Sequence, residues 1–318
     1  MRTALALAFA GLLLASLALP MSGFGKLLAE DPELARDLLV QLRLPRTLLA
    51  CIYGAVLGAT GAAIQALFAN PLASPDITGT SGGAALGAVV TAYLFGLASP
   101  FAMALGAVTG AGLALAALLI LAGPRAETAT LLLAGLAISA LTGALTTLAL
   151  ALAPSPFAFY DAFDWLLGSL VDRSLRQAAF AGVPALMVLA MLLRLRRPLD
   201  SLALGEDVAE SLGHSVPRVR LAVVGLTALG VGACVAVCGA IGFIGLVAPI
   251  FARQLSRGHP GGAILPAAAL GAALLLAADL LVRAAPLGRN LPFGVVTAML
   301  GAPFFLWLVA HMRWRLQP

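Results

Sequence analysis

Charged residues are scarce in this sequence. Only 10% of its 318 residues are Asp, Glu, Lys or Arg, whereas 61% are hydrophobic, and the mean hydropathy is +1.03. Soluble domains carry about 25% charged residues. The composition therefore excludes an ordinary soluble domain and predicts an all-α, polytopic membrane protein. The net charge of +5 requires no nucleic-acid partner, because arginines at the cytoplasmic ends of spans account for it.

Lysine is nearly absent. Lys26 is the only lysine, and Leu27 follows it. A phosphate-binding loop needs Gly-Lys followed by Ser or Thr, so this chain has none. If ATP drives the protein, ATP and Mg²⁺ bind to another chain, and this chain needs no cofactor of its own.

Cysteine and histidine are also rare, at three residues each. Cys234 and Cys238 share a helix face, but neither has a histidine or carboxylate nearby, so we interpret them as packing residues rather than metal ligands. The histidines are scattered at predicted cytoplasmic ends and are interpreted as solvated or interfacial side chains rather than catalysts. The sequence thus predicts no catalytic residue, no metal site and a protein that is not an enzyme.

Apolar runs predict about ten transmembrane helices in a single domain, residues 1–318, with both termini cytoplasmic. The predicted spans are about 3–20, 47–67, 82–97, 101–122, 128–152, 177–195, 219–237, 239–253, 262–282 and 293–310. The first run fits either a secretory signal or a first span, and the many spans after it favour a span. Residues 21–46 are expected to form a short amphipathic external segment. The 34 glycines predict close helix packing.

One polar stretch, Asp200–Pro217, interrupts the apolar sequence between the sixth and seventh spans. Ser201 is suited to capping a helix start, and Gly213 to ending it. Arginines on both sides place the stretch at the cytoplasmic face. We expect a short amphipathic helix at about 201–213 that binds a soluble partner. The alternative is a solvated loop without a partner.

Asp279 is the only acidic residue inside a predicted span, one turn before Arg283. An i, i+4 ion pair is the simplest explanation. Proton-coupled carriers bury ionisable residues near the middle of the membrane, so an ion-coupled secondary carrier is an alternative with little support in this sequence. A membrane scaffold that transports nothing is a third interpretation.

Several longer motifs resemble one permease family. They are Arg43-Leu-Pro-Arg46, Gln65 through Asn70-Pro-Leu-Ala73 to Gly79-Thr-Ser-Gly-Gly-Ala-Ala-Leu-Gly87, Leu204-Gly-Glu-Asp-Val-Ala-Glu-Ser-Leu-Gly213, Gly239-Ala-Ile-Gly-Phe-Ile-Gly-Leu-Val247, Ala278-Asp279 with Arg283, and Leu291 to Leu308. The chain is similar along nearly its whole length to the FecCD-type membrane subunits of ABC importers for cobalamin, ferric siderophores and haem. One departure is Ile250, which stands where the family usually has histidine after proline.

The resemblance implies a permease subunit in the bacterial inner membrane that forms a homodimer, or a pseudo-dimer with a close relative. Two separate ATPase subunits bind below it, and a periplasmic substrate-binding protein docks above it. It implies a coupling helix that contacts the ATPase through Leu204, Gly205, Glu206, Asp207, Glu210 and Gly213.

The resemblance also implies that periplasmic arginines receive carboxylates of the binding protein. Arg43, Arg46 and Arg283 match these positions, and guanidinium–carboxylate pairs set docking register. The alternatives are membrane anchors for Arg43 and Arg46 and neutralisation of Asp279 for Arg283. The translocation path is implied to run along the fifth and tenth spans, at Ser139, Thr142, Thr146, Thr297 and Met299.

No residue in the sequence identifies the transported substrate. On family abundance, a ferric siderophore or haem is expected before cobalamin. The mechanism implied by the resemblance is that nucleotide binding moves the coupling helix and switches the permease between outward-facing and inward-facing states.

Overall fold

The computed structural model describes residues 2–18, 29–97, 99–123, 128–284, 292–299, 301–303 and 306. These residues form helices and connecting turns and include no strand. The predicted all-α class is confirmed for this part of the chain. Lys26, His311 and part of the predicted span at 293–310 lie outside the described residues.

The first half of the chain supplies helices α1 to α6. They are α1 (Arg2–Ala18), α2 (Pro32–Leu38), α3 (Leu44–Leu67), α4 (Thr80–Tyr93), α5 (Pro100–Ala122) and α6 (Thr128–Ala151). A π-helical turn, Leu39–Arg43, joins α2 to α3, and a 3₁₀ turn, Pro75–Thr78, precedes α4.

The second half supplies α7 to α13. They are α7 (Pro156–Leu166), α8 (Leu175–Arg194), α9 (Arg196–Leu202), α10 (Glu206–Ser211), α11 (Val216–Cys238), α12 (Ile244–Leu255) and α13 (Ile264–Ala284), with a 3₁₀ turn at Gly261–Ala263. Residues 293–299 are also helical.

Six helical segments of the described residues are long and apolar enough to cross a membrane. They are Pro32–Leu67, Pro100–Ala122, Ala129–Ala151, Leu175–Arg194, Val216–Cys238 and Gly261–Ala284. The predicted count of about ten spans is not confirmed, although a helix lies in each predicted region. Helix α4 has 14 residues and α12 has 12, and 14 residues extend only about 21 Å, less than a bilayer core of about 30 Å.

The second part of the predicted external segment at 21–46 is helical, and its external position stays a prediction. Asp31 caps a helix that starts with Pro32, because its side chain accepts a hydrogen bond from the Leu34 amide. Proline suits a first helical position. The chain then stays helical through Arg43 into α3, so the helix containing the second predicted span begins well before Thr47.

The core lies where α3 and α13 cross. At Gly54 and Gly271 the two backbones approach so closely that a Cβ on either residue would overlap the other's carbonyl oxygen. Gly87 and Gly106 bring α4 and α5 together in the same way. The predicted glycine-mediated packing is therefore confirmed. Cys234 and Cys238 are fully buried in this core.

Candidate functional site

The polar stretch between α8 and α11 folds as two short helices rather than one. Ser201 does not cap a helix start. It lies inside α9, where its hydroxyl donates to the Pro198 carbonyl oxygen at 2.8 Å. Gly205 has φ +113°, a backbone conformation that residues with a Cβ rarely adopt, so α9 ends and α10 begins at Glu206. The predicted exit at Gly213 is confirmed by its φ of +85°.

The six residues predicted to contact an ATPase are all exposed: Leu204, Gly205, Glu206, Asp207, Glu210 and Gly213. Glu206 and Asp207 lie in the first turn of α10, where carboxylates interact favourably with the helix dipole. The structure thus leaves these residues accessible, and their contact with an ATPase remains a prediction.

Sequence reasoning missed the apolar half of this surface. Leu204, Val208 and Leu212 are 69%, 41% and 60% exposed. Val208 and the C-capping Leu212 are four residues apart, which places them on one side of α10, and Leu204 lies just before the helix. Ala209, by contrast, is fully buried. Exposed apolar side chains rimmed by carboxylates are typical of a protein-binding surface. The four-residue spacing was the available signal.

The three predicted docking arginines converge on the end of α1. Arg46 contacts Asp279 Oδ1 through Nε at 2.8 Å and through Nη2 at 2.7 Å. Arg283 forms an ion pair with Asp279 Oδ2. Asp279 is fully buried, so this carboxylate depends on both guanidinium groups for charge compensation. The predicted i, i+4 pair of Asp279 and Arg283 is confirmed.

The same arginines satisfy carbonyl groups at the C-terminal end of α1. Arg43 Nη1 donates to the carbonyl oxygens of Leu17 and Ala18, each at 2.8 Å. Arg283 Nη1 donates to the Ser16 carbonyl oxygen at 2.7 Å. The last carbonyls of a helix lack partners within it, and cations are favoured there. These side chains therefore hold α1 to α3 and α13, and their docking role stays a prediction.

The five predicted path residues separate into two groups. Ser139 is partly exposed and Met299 is 71% exposed, whereas Thr142, Thr146 and Thr297 are buried. Thr142 and Thr146 donate to the carbonyls four residues earlier in α6, each at 2.8 Å. Thr142 also packs against α4, because a Cβ at Gly82 would overlap its hydroxyl. In this structure only Ser139 and Met299 reach the surface of the chain.

Asp76 was missed as a candidate. It lies in the 3₁₀ turn before α4, its carbonyl oxygen accepts a hydrogen bond from Ser139 Oγ at 3.1 Å, and its side chain forms a hydrogen bond with Ser81. Ser139 is near the middle of α6, a candidate span. A carboxylate at that depth needs water or a polar partner. The sequence signal that could have identified Asp76 was an acidic residue directly after Pro75, in a segment rich in proline.

The long apolar helices, with an exposed acidic helix between two of them, are those of a polytopic membrane protein. The model of the FecCD transport family matches residues 3–311. The chain belongs to this family.

Relatives cover most of the chain. It is 41% identical over 290 residues to the vitamin B12 import system permease protein BtuC of Vibrio cholerae, which is 88% of this chain and 84% of that protein. It is 36% identical over 271 residues to the Fe(3+)-citrate import system permease protein YfmE of Bacillus subtilis, covering 85% and 80% of the two chains.

Solved structures agree with the fold. A protein described as a metal-chelate type ABC transporter, in an inward-facing conformation, superposes with a TM-score of 0.86 at 29% identity, over 97% of this chain and 98% of that chain. PsaBC from Streptococcus pneumoniae superposes with a TM-score of 0.56 at 19% identity, over 90% of this chain and 94% of that one. The second likeness concerns the fold alone.

Proposed function

We propose that this chain is the membrane-spanning permease subunit of an ATP-driven importer for a metal-containing chelate. The observation that carries the proposal is the exposed surface of α10, which presents the carboxylates of Glu206, Asp207 and Glu210 together with the apolar side chains of Val208 and Leu212. A chain without a phosphate-binding loop cannot hydrolyse ATP through that motif, so it needs a surface that binds an ATPase and couples ATP hydrolysis to transport.

The proposed assembly has two permease subunits, two ATPase subunits that bind ATP and Mg²⁺, and a periplasmic substrate-binding protein, in a bacterial inner membrane. The two permease subunits are proposed to be identical, with both chain termini cytoplasmic. Arg43, Arg46 and Arg283 are proposed to meet carboxylates of the binding protein, and Ser139 and Met299 to line the path. The homologous import permeases support this assignment over an ion-coupled carrier.

The proposed cargo class is a bulky metal chelate. The relatives named above are vitamin B12 and Fe(3+)-citrate permeases, and both cargos are chelated metals. We still predict that the cargo is a ferric siderophore or haem rather than cobalamin, and this prediction is based on family abundance. The partly exposed side chains predicted for the path, Ser139 and Met299, are weakly polar and suit a ligand that must slide without being held.

The test is reconstitution of the permease in sealed vesicles, with and without an ATPase subunit that co-purifies with it and a substrate-binding protein. We expect uptake of a labelled chelate only when the ATPase, ATP and the binding protein are all present, and we expect vanadate to stop it. Cyanocobalamin, a ferric siderophore, ferric citrate and haem are compared in parallel. Accumulation of any of them by the permease alone would support the secondary carrier and overturn the proposal.

A further inference from the structure

Helices α9 and α10 are attached to the helix bundle by two polar contacts at different places. The first contact lies on α9, where Asp200 Oδ1 accepts a hydrogen bond from the Gly261 amide at 2.8 Å. One turn earlier, the Arg196 carbonyl oxygen lies against Gly261 so closely that a Cβ there would overlap it. Gly261 begins the 3₁₀ turn that leads directly into α13, so α9 rests on the start of α13.

The second contact lies on α10. Glu206, in the first turn of this helix, forms an ion pair with Arg220 in the second turn of α11. The Arg220 side chain is 11% exposed and that of Glu206 is 51% exposed. A cation near the start of a helix faces the positive end of its dipole, and a largely buried cation needs a counter-ion. The Glu206 carboxylate therefore offsets both the unfavourable helix dipole at Arg220 and the cost of burying its charge.

The two contacts lead into the same core. Helices α11 and α13 both pack against α3, and Gly54 and Gly271 hold α3 and α13 at backbone contact. The segments that contain α3 and α11 are the most buried of the six candidate spans. Tightly packed interiors transmit displacement rather than absorbing it. A displacement of α9 and α10 therefore reaches the core through α11 and α13.

We propose that Glu206–Arg220 and Asp200–Gly261 are the two attachments through which α9 and α10 pass the movement of an ATPase to α11 and α13. Arg220 and Asp200 are then positioning residues for transport, and Glu206 acts on Arg220 within this chain in addition to facing a partner. The inference rests on the proposed function. It assigns to these four residues a role in transmitting movement within the chain, in addition to any contact with a partner.

The first test uses the full reconstituted complex with its ATPase, binding protein and chelate. Glu206→Arg and Arg220→Glu are compared with the double variant Glu206→Arg/Arg220→Glu. We expect Arg220→Glu, at a residue outside the ATPase-facing surface, to bind the ATPase normally and to lower the chelate transported per ATP hydrolysed by roughly fivefold or more, the lower end of typical coupling between sites. Glu206→Arg also changes the ATPase-facing surface, so we expect it to weaken ATPase binding as well as to lower this ratio in the complexes that retain the ATPase. The double variant restores the ion pair and is expected to recover most of the ratio.

The matched control is Arg218→Glu, which makes the same charge reversal two residues earlier in α11 at an exposed position. We expect it to keep the wild-type ratio of transport to hydrolysis. If the charge-reversed variants are not produced as folded protein, Glu206→Gln and Arg220→Gln are measured instead, since each removes one charge of the ion pair, and each is expected to lower the ratio of transport to hydrolysis. Loss of coupling in the single variants without recovery in the double variant would overturn the inference, as would unchanged coupling in the single variants.

The second test addresses Asp200. Asp200→Asn keeps an acceptor oxygen for the Gly261 amide, whereas Asp200→Ala removes it. We expect Asp200→Asn to couple like wild type and Asp200→Ala to lose coupling while still binding the ATPase. Equal coupling in both variants would overturn this attachment. A wild-type complex without ATP-dependent uptake would instead overturn the proposed function, and the inference with it.

Discussion

Arg46 and Asp279 form an ion pair although 233 positions separate them in the chain. The pair joins α3 to α13, and Arg283 contacts the second oxygen of the same carboxylate. One buried acid thus compensates two arginines beside the end of α1. An arrangement of this kind is costly to break, because removal of one partner leaves an uncompensated buried charge.

Substitution of the shared acid is the first prediction. Asp279→Asn removes the buried negative charge that Arg46 and Arg283 share, and we expect it to destabilise the protein by about 3–5 kcal/mol. The measurement is the midpoint of thermal unfolding in detergent. Asp164→Asn, the same change at an exposed residue of α7, is the control and is expected to leave the midpoint unchanged. Equal midpoints for the two variants would contradict a stabilising role of Asp279.

A second prediction concerns the crossing of α3 and α13. Gly54→Ala places a methyl group against the Gly271 backbone, and overpacking of this kind costs about 1–3 kcal/mol. The control is Gly225→Ala in α11, where a Cβ meets no atom within 4 Å and alanine favours the helix. Thermal unfolding compares the two. The prediction fails if Gly54→Ala is as stable as Gly225→Ala.

The apolar side of the α10 surface gives a third prediction. Leu212 is 60% exposed, and Leu212→Glu puts a charge where we expect an ATPase to bury an apolar side chain. An unpaired charge at the core of an interface costs several kcal/mol of binding. Co-purification of the ATPase should fall at least roughly tenfold, or about 1.4 kcal/mol. Leu212→Met is the control and should retain the ATPase. Normal co-purification with Leu212→Glu would place the interface elsewhere.

The fourth prediction separates the path candidates by exposure. Ser139→Trp adds a large side chain at the surface of α6, and we expect it to reduce chelate uptake while ATP hydrolysis continues. Thr142→Val should have little effect on uptake, because the Thr142 hydroxyl is bonded to Ile138 of its own helix and faces α4. Uptake in reconstituted vesicles measures both. Equal effects of the two substitutions would show that exposure in the single chain does not identify the path.

Sequence alone was sufficient for the helical class, for the polar stretch between α8 and α11 and for the family. These depend on local properties, since apolar runs, breakers and motif residues are read over short windows. It was less accurate for helix limits. The expected helix start at Ser201 was wrong because the backbone turns at Gly205, and the second span was expected to begin at Thr47 although the helix extends back to Pro32.

The sequence by itself determined which segments are helical and which surface is polar, because hydropathy and glycine content act on each segment independently of the others. Only the tertiary structure decided that Arg46 and Arg283 share Asp279, that Glu206 meets Arg220, and that Thr142 faces α4. Helix α6 carries no charged residue, and its hydroxyl-bearing Thr142 and Thr146 are buried while Ser139 is partly exposed, so the sequence pattern did not indicate which side of it packs. Ion pairs between distant helices follow from how those helices cross, and that geometry is set by the whole bundle.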